Sequence, residues 1–404
     1  MNTYDVAIVG GGVIGGAIAF ELAAAQLRVV VLDRQQPGRE ASWAAGGMLS
    51  PAPHMPPDIS LVPFGKASLQ LYPELVAAVE EASGKRTGYA REGALEIFPG
   101  PDGEAERDAT VAEHRRLGLA AEAVSPAAAR DLEAALAPAG SPGAWSALWL
   151  PEEGTVEPRL LTEAVLLAAE RRGVEIRSGC RVTSLMCESG RCAGAVAGGE
   201  RIAAKHVVVA AGCFSGEIAL DAAAEASDSN KIAARYAPTR PVRGQMLALR
   251  KPPDLAFRRV LRSRKGGYLV PQPGDRILAG STLEEAGYEK CVTAAGLGRI
   301  LGVALELVPA LADAEIVETW AGLRPGTPDD LPILGPTDVE GLLMATGHYR
   351  NGILHAPITA KLIRDWIVRG QVDFGAECFS PLRFSKREPQ HEASEAAPAT
   401  SATR

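Results

Sequence analysis

The chain is poor in the features that build metal centres and disulfide frameworks. Its six cysteines stand at positions 180, 187, 192, 213, 291 and 378, and none forms a C-x-x-C pair. Cys187 and Cys192 are close in sequence, but no histidines at ligand spacing accompany them, and the histidines never fall in an H-x-x-x-H pattern. The expectation is no metal, with the cysteines as small core or surface residues. Nor is there an export signal at the start, where Met1-Asn-Thr-Tyr-Asp5 lacks a basic flank, so no disulfide framework is expected. The uncharged run from Val6 to Phe20 is broken by glycines and falls short of the ~20 apolar residues that span a bilayer. Basic charge is also scarce: 42 Lys and Arg face 49 Asp and Glu, for a net charge of −7. Nucleic acid is thereby excluded as the main partner, because phosphate binding needs concentrated cations. A soluble cytoplasmic protein without stable membrane insertion is the expectation.

What remains is a globular composition. The 404 residues are 47% hydrophobic and 23% charged, enough for one large or two medium domains with a real core. The 43 glycines and 29 prolines make the chain loop-rich without making it low-complexity. No repeat of fixed period is visible.

The N-terminus reads strand, turn, helix, strand. Asp5–Val9 is apolar and β-branched, Gly15–Ala25 suits a helix, and Leu27–Leu32 is a second buried strand. A long loop is predicted over 37–63. Helices are predicted at Ala67–Ser83, near Glu104–Arg116, at Ala127–Leu136 and at Pro158–Arg172, the last capped by Gly173. Strands follow at Val174–Arg177 and His206–Ala210. Residues 240–283 read as antiparallel sheet, with Gln245–Leu249, Gly267–Pro271 and Arg276–Ala279 separated by turn chemistry. A helix at Leu297–Val308, a strand at Leu342–Ala345 and a helix from Gly352 to about Ile367 complete the pattern, and the tail from Lys386 reads as disordered. The α/β segments bracket the β-rich ones, so the fold class is α/β with two interleaved domains.

Between the first strand and first helix lies Gly10-x-Gly12-x-x-Gly15. Gly10 permits a tight turn, Gly12 admits a pyrophosphate to the backbone, and Gly15 lets helix and strand pack closely. The helix N-terminus offers unpaired N–H groups and a partial positive charge to phosphate. Asp33 ends the second strand, where a carboxylate accepts hydrogen bonds from a ribose and repels a 2′-phosphate. Dinucleotide binding follows; the motif alone leaves NAD and FAD open.

Later segments bear on that choice. Ala41-Ser-Trp-Ala-Ala-Gly-Gly-Met-Leu-Ser-Pro51, Glu153-Gly-Thr-Val-Glu-Pro-Arg159, Pro241-Val-Arg-Gly-Gln-Met246, Tyr268-Leu-Val-Pro271 and Gly280-Ser-Thr282 run in order along the chain. Trp320-Ala-Gly-Leu-Arg-Pro-Gly326 and Gly347-His-Tyr-Arg-Asn-Gly-Ile-Leu354 follow them. With these pieces the chain resembles the D-amino-acid oxidase superfamily of flavoproteins, and within it the glycine oxidase group of the thiamine-biosynthetic type. The resemblance implies a Rossmann-type FAD-binding domain, over 1–88, 154–235 and 318–385, interleaved with an α+β substrate domain over 89–153 and 236–317.

It also implies a site. FAD would meet Gly10, Gly12, Val13, Ile14, Asp33, Arg34, Ser42, Ala45, Gly46, Met48, Val182 and Gly212, then Gly347, Tyr349, Arg350, Asn351, Gly352 and Ile353. A Cys in the 320–330 stretch marks relatives with covalent flavin; this chain has none there, so noncovalent FAD is expected. Arg324, flanked by Gly322, Pro325 and Gly326 in a rigid loop expected where the strand from Ile316 ends, offers a guanidinium fork suited to a carboxylate, and the resemblance implies that it grips the substrate. Tyr268 is either a core aromatic or, as in relatives, a second hydrogen bond to that carboxylate. Arg350 either helps at the substrate mouth or caps carbonyls. His348 reads equally as a base or as a structural neighbour of the flavin. The helix from Gly352 would aim its N-terminus at the negative charge of a reduced flavin. The Pro-rich stretch Leu49–Pro57 departs from relatives, so side-chain preference does not transfer.

The implied activity is oxidative deamination of glycine and similar small amines or D-amino acids, with O2 as acceptor and H2O2 as product. A handover to thiazole synthase and a homo-tetramer are implied by resemblance only. The alternatives are a D-amino-acid dehydrogenase serving a quinone carrier, a sarcosine-oxidase-like amine oxidase, and a non-catalytic FAD-binding protein.

Overall fold

Residues 3–51, 60–138, 144–221 and 227–385 are described by a computed structural model. Two eight-stranded sheets organise them. The first has a parallel centre, in the order Leu342–Thr346, Glu200–Val209, Tyr4–Val9, Val29–Leu32 and Glu175–Arg177, with Ile333–Pro336 antiparallel at one edge. Val6 pairs with both His206 and Val29, and Val207 pairs with Leu342. The apolar strands Tyr4–Val9 and Val29–Leu32 are buried on both faces, as a parallel sheet covered on two sides requires. On one face Val13–Ala24, Pro158–Arg171, Gly352–Arg369 and Leu61–Ser83 pack together around Ile18, Phe20, Phe64 and Leu354. The other face packs on the antiparallel hairpin Val182–Glu188 and Arg191–Ala197.

Local chemistry sets the helix ends. Gly84 and Gly370 close their helices with φ of 66° and 72°, conformations that cost glycine no Cβ clash. Pro158 opens its helix, where its missing N–H is no loss, and the Glu157 carboxylate accepts from Leu160 N–H.

The second sheet runs Ile316–Gly326, Arg240–Arg250, Arg276–Gly280, Tyr268–Pro271, Val260–Ser263, Ala94–Pro99, Trp145–Leu150 and Glu122–Val124. All its pairs are antiparallel except Val260–Ser263 with Ala94–Pro99. One face is covered by the helix Ala294–Leu307. Met246, Trp320 and Tyr268 on the other face meet Trp43, Ala44 and Met48 from the first layer.

Several expectations shift. The stretch predicted as loop over 37–63 carries a helical turn at Ala41–Ala44 and a strand at Met48–Leu49, paired with Gly154–Thr155. The following helix begins at Leu61 rather than Ala67 and contains Pro73. The expected domain boundary at 318 does not coincide with the change of sheet, because Ile316–Gly326 pairs along its whole length with Arg240–Leu249. Arg324 therefore sits within a strand, opposite Val242, rather than in a loop beyond it. The tail from Lys386 and most of the Pro-rich stretch, residues 52–57, lie outside the described residues.

Candidate functional site

One cavity of about 410 Å³ runs between the two sheets, and every residue expected at the cofactor or substrate lines it. At one end is the glycine turn. Gly10 has φ of 105°, and a Cβ there would stand 2.5 Å from Ala210 O, just past the end of the neighbouring strand. A Cβ on Gly15 would overlap the Gly10 carbonyl oxygen, so helix and strand approach only because position 15 has no side chain. Gly12 is the N-cap of Val13–Ala24 and contributes no side chain to the cap. Val13 N–H donates instead to Ser42 Oγ at 3.0 Å, which draws the 41–44 turn over the helix end.

The Asp33 carboxylate is pinned by backbone. Oδ2 accepts from Gly11 N–H at 2.8 Å and Oδ1 from Gln35 N–H at 3.0 Å, and both oxygens keep a further lone pair. Arg34 lies 3.5 Å over the Phe214 ring and pairs with Glu40, which Lys290 also reaches. Phe214 in turn stacks on Tyr288, with centroids 5.2 Å apart. Val182 and Gly212 complete this end.

At the opposite end the lining groups are side chains. Arg324 Nη2 donates to Ser281 Oγ at 2.7 Å and Nη1 to Thr282 O at 3.1 Å. No carboxylate pairs with this guanidinium among the described residues. Burial pushes its pKa down, opposed by the neighbouring Tyr268 and reinforced by Arg350. A deeply set cation without a counter-ion is costly unless something else supplies the charge. Tyr268 is half-buried, with its hydroxyl beside Arg324 and 3.6 Å from Met246 Sδ. The walls here are glycines: a Cβ on Gly46 would stand 3.1 Å from the Tyr268 ring and one on Gly280 2.8 Å from its hydroxyl. A Cβ on Gly244 would run into the Arg324 guanidinium.

The third wall is the turn before Gly352–Arg369. Tyr349 holds a left-handed φ of 47°, and its N–H donates to Pro325 O at 3.0 Å, tying this turn to the Arg324 strand. Asn351, Gly352 and Ile353 present the helix N-terminus to the cavity. His348 is buried, with Nε2 3.0 Å from Thr359 Oγ1, and burial pushes its pKa down to about 3. It is neutral near neutral pH and packed into place. Arg350 is exposed on the cavity rim and forms no ion pair among the described residues. It lies near enough to Arg324 to act on that group's charge.

Sequence reasoning missed the groups that hold these in place. Arg159 forms a bidentate pair with Glu318 at 2.9 and 3.2 Å and lies 3.6 Å over Trp43, while Trp320 Nε1–H donates to Ala44 O at 3.2 Å. These contacts bind the loop that carries Ala45, Gly46 and Met48 to the Arg324 strand. Ser50 at the end of that loop donates to Glu153 Oε1 at 2.6 Å and accepts from Arg262 at 2.7 Å. Burial pushes the Glu153 carboxyl up, against the lowering effect of Arg262. The Glu-Pro-Arg and Arg-Gly-Gln-Met segments were visible in sequence, but their partners were not. Among the described residues no His, Cys, Asp and Glu cluster is arranged to hold a metal, and no helix is long and apolar enough to cross a membrane.

A phosphate-ready helix end, a pinned ribose-height carboxylate and a slot without side chains define a dinucleotide-binding oxidoreductase, and the slot continues past the nucleotide into a cation-lined chamber. The chain belongs to the family of FAD dependent oxidoreductases, whose profile matches residues 5–366. It is similar to a glycine oxidase of Pseudomonas putida, 36% identical over 367 residues, covering 89% of this chain and 93% of that one. It is also 36% identical over 392 residues to a "Bifunctional protein ThiO/ThiG" of Trichormus variabilis, covering 95% of this chain and 56% of that one. The chain thus spans about half the length of such bifunctional relatives. The crystal structure of glycine oxidase from Geobacillus kaustophilus superimposes with a TM-score of 0.85 at 31% identity, over 95% of this chain and 99% of that one.

Proposed function

We propose that this chain is an FAD-dependent oxidase of glycine and similarly small amino acids, with noncovalent FAD. The observation that carries this reading is Arg324, a guanidinium with no counter-ion among the described residues, beside Tyr268 in a chamber walled by Gly46, Gly244 and Gly280. A small α-amino carboxylate supplies the missing charge. Family membership and glycine oxidase relatives support the same reading.

The cavity residues fit FAD. Gly10, Gly12, Val13 and Ile14 would hold the pyrophosphate, Asp33 and Arg34 the adenosine, and the 347–353 turn the flavin; all of them line the cavity. When bound, FAD would supply a two-electron acceptor for the hydrogen of the substrate Cα, with O2 as final oxidant and H2O2 as product. The protein does the rest. Arg324 and Tyr268 donate hydrogen bonds to the carboxylate and so fix which face of Cα is presented. Held this way, the amine in its neutral form can give up the hydrogen on Cα. The resulting imine hydrolyses to glyoxylate and ammonia.

The rest of the proposal is coarser. The 1–88, 154–235 and 318–385 segments serve FAD, with the strand up to Gly326 shared with the substrate side. Handover of the imine to a thiazole synthase is supported by relatives in which ThiO and ThiG parts share one chain. Residence in the cytoplasm and a homo-tetramer belong to the same reading. The test is an anaerobic reduction screen of the FAD-loaded protein against glycine, sarcosine, D-alanine and D-proline, followed by peroxide stoichiometry in air. Glycine should bleach the flavin and yield one peroxide per glyoxylate. Bleaching without peroxide would turn the assignment to a dehydrogenase, and no bleaching by any of the four would end it.

A further inference from the structure

The hairpin behind the nucleotide end carries two thiols that the proposed reaction does not use. Its turn is Ser189–Gly190, with φ of 51° and 79°, so Glu188 faces Arg191 at the first rung and Cys187 faces Cys192 at the second. A two-residue turn of this left-handed kind makes the first rung the hydrogen-bonded one and the second the non-bonded one. The Cys192 N–H bears this out by pointing away from Cys187, to Glu340 O at 2.8 Å. Cα atoms on a non-bonded rung stand about 4.5 Å apart with side chains on one face. That separation falls inside the window of about 4.4–6.8 Å that a disulfide needs.

Burial and contacts agree with the register. Cys187 is 8% exposed and Cys192 fully buried, both in the apolar cluster with Leu185, Ala195 and Ile202. The hydrogen bond between the two thiols holds Cys192 below the usual thiol range, against the opposing effect of burial, and pushes Cys187 above it. Cys192 Sγ also lies 3.6 Å from Gly194 O. The strand that holds Cys187 starts at Val182, which lines the nucleotide end of the cavity.

We propose that Cys187 and Cys192 form an oxidisable dithiol, which closes to a cross-strand disulfide with hydrogen peroxide as oxidant. The sulfur of Cys192, as thiolate, attacks the peroxide, the O–O bond breaks, and a sulfenic acid forms while one oxygen leaves as hydroxide, which takes up the proton the thiol lost and becomes water. The sulfur of Cys187 then displaces the sulfenic hydroxyl, which takes up the released proton as a second water, and the S–S bond forms. Two thiols lose two electrons in total and one peroxide gains them. The peroxide source rests on the oxidase reading above, whereas the dithiol itself does not.

The experiment uses the FAD-loaded full chain, reduced and then divided. One portion receives hydrogen peroxide and the other turns over glycine in air; both are quenched in acid, alkylated and digested with trypsin. Trypsin cuts after Arg181, Arg191 and Arg201, so the two cysteines leave on separate peptides, 182–191 and 192–201. The expected result after peroxide is that these peptides are recovered joined, two hydrogens lighter than their sum, and separate again after reduction. Cys187→Ser or Cys192→Ser should abolish the joined pair. Glycine turnover should produce it too, and catalase should suppress it. Recovery of both peptides separately alkylated, under peroxide that oxidises the exposed Cys291, would overturn the proposal, as would Cys187 joined to any other cysteine. If added peroxide closes the pair but glycine releases no peroxide, the dithiol stands and the oxidase reading falls.

Discussion

At the glycine-turn end of the cavity the recognising groups are backbone: N–H groups of a helix terminus, carbonyls held clear by Gly10 and Gly15, and a carboxylate pinned by two amides. At the Arg324 end they are side chains. A guanidinium, a phenol and a thioether there project from three strands, and Gly46, Gly244 and Gly280 make room for the first two. The first arrangement spends side-chain absence to bring main chain to a ligand, and any dinucleotide with the same phosphates satisfies it. The second spends absence to seat particular side chains, and under the proposed function it takes a ligand with a carboxylate and little else. Generality sits in the backbone and specificity in the side chains, so the two ends should fail differently.

The sharpest break is Gly15→Ala. The new methyl overlaps the Gly10 carbonyl, and helix and strand have to part. We expect a colourless or insoluble protein, checked by flavin absorbance after purification, while retained yellow colour at normal stability would mean the close approach is dispensable.

Arg324→Ala should leave colour and folding intact and raise the KM for glycine by orders of magnitude. An unpaired substrate carboxylate in a buried chamber costs several kcal/mol, on the order of 3–5. Arg324→Lys should recover only part, because a point charge does not reproduce the fork. Slow oxidation of amines without a carboxylate should hardly change. Near-normal glycine kinetics in fully loaded Arg324→Ala would remove the clamp.

Two milder substitutions sharpen the contrast. Tyr268→Phe removes one hydrogen bond to a charged group and should lower kcat/KM by about 1–3 kcal/mol with FAD retention unchanged. Asp33→Ala should do the reverse, weakening FAD binding by about 1–3 kcal/mol while turnover per bound flavin stays normal. Loss of turnover in loaded Asp33→Ala would place Asp33 closer to the reaction than the cavity has it.

The smallest effect concerns pH. His348 is held neutral, its pKa pushed from 6.5 down to about 3 by burial, and His355 beside it is pushed down by burial and then by His348. The unfolded chain binds protons here that the folded one refuses. Stability is therefore fully present above about pH 6.5 and falls with acidification, by up to about 1.4 kcal/mol per pH unit for His348 alone. Urea midpoints between pH 7 and 5 should decline less steeply in His348→Gln; an unchanged slope would assign the decline elsewhere.

The residues from Gly10 to Asp33 could be read in the sequence because their partners are close along the chain. A βαβ unit brings turn, helix end and acid together within about 30 residues, so spacing alone carries the geometry. The antiparallel strands near Gln245, Tyr268 and Arg276 were legible from alternation and turn residues for the same reason. Arg324 and Tyr268 were named through resemblance, and nothing local to either showed that they meet. Three further facts came only with the fold: that Gly244 is the floor under Arg324, that Tyr349 N–H ties the last turn to Pro325, and that Cys187 faces Cys192. The cysteines show the difference most plainly. Four residues separate them in the sequence, a spacing without meaning until the Ser189–Gly190 turn sets the rung on which they stand. By itself the sequence determined where a backbone cradle forms, since glycine spacing and strand hydrophobicity act over one or two elements. Only the tertiary structure decided which side chains share a chamber, because strand register and the packing of one sheet on another bring together residues whose separation along the chain carries no information about their distance in space.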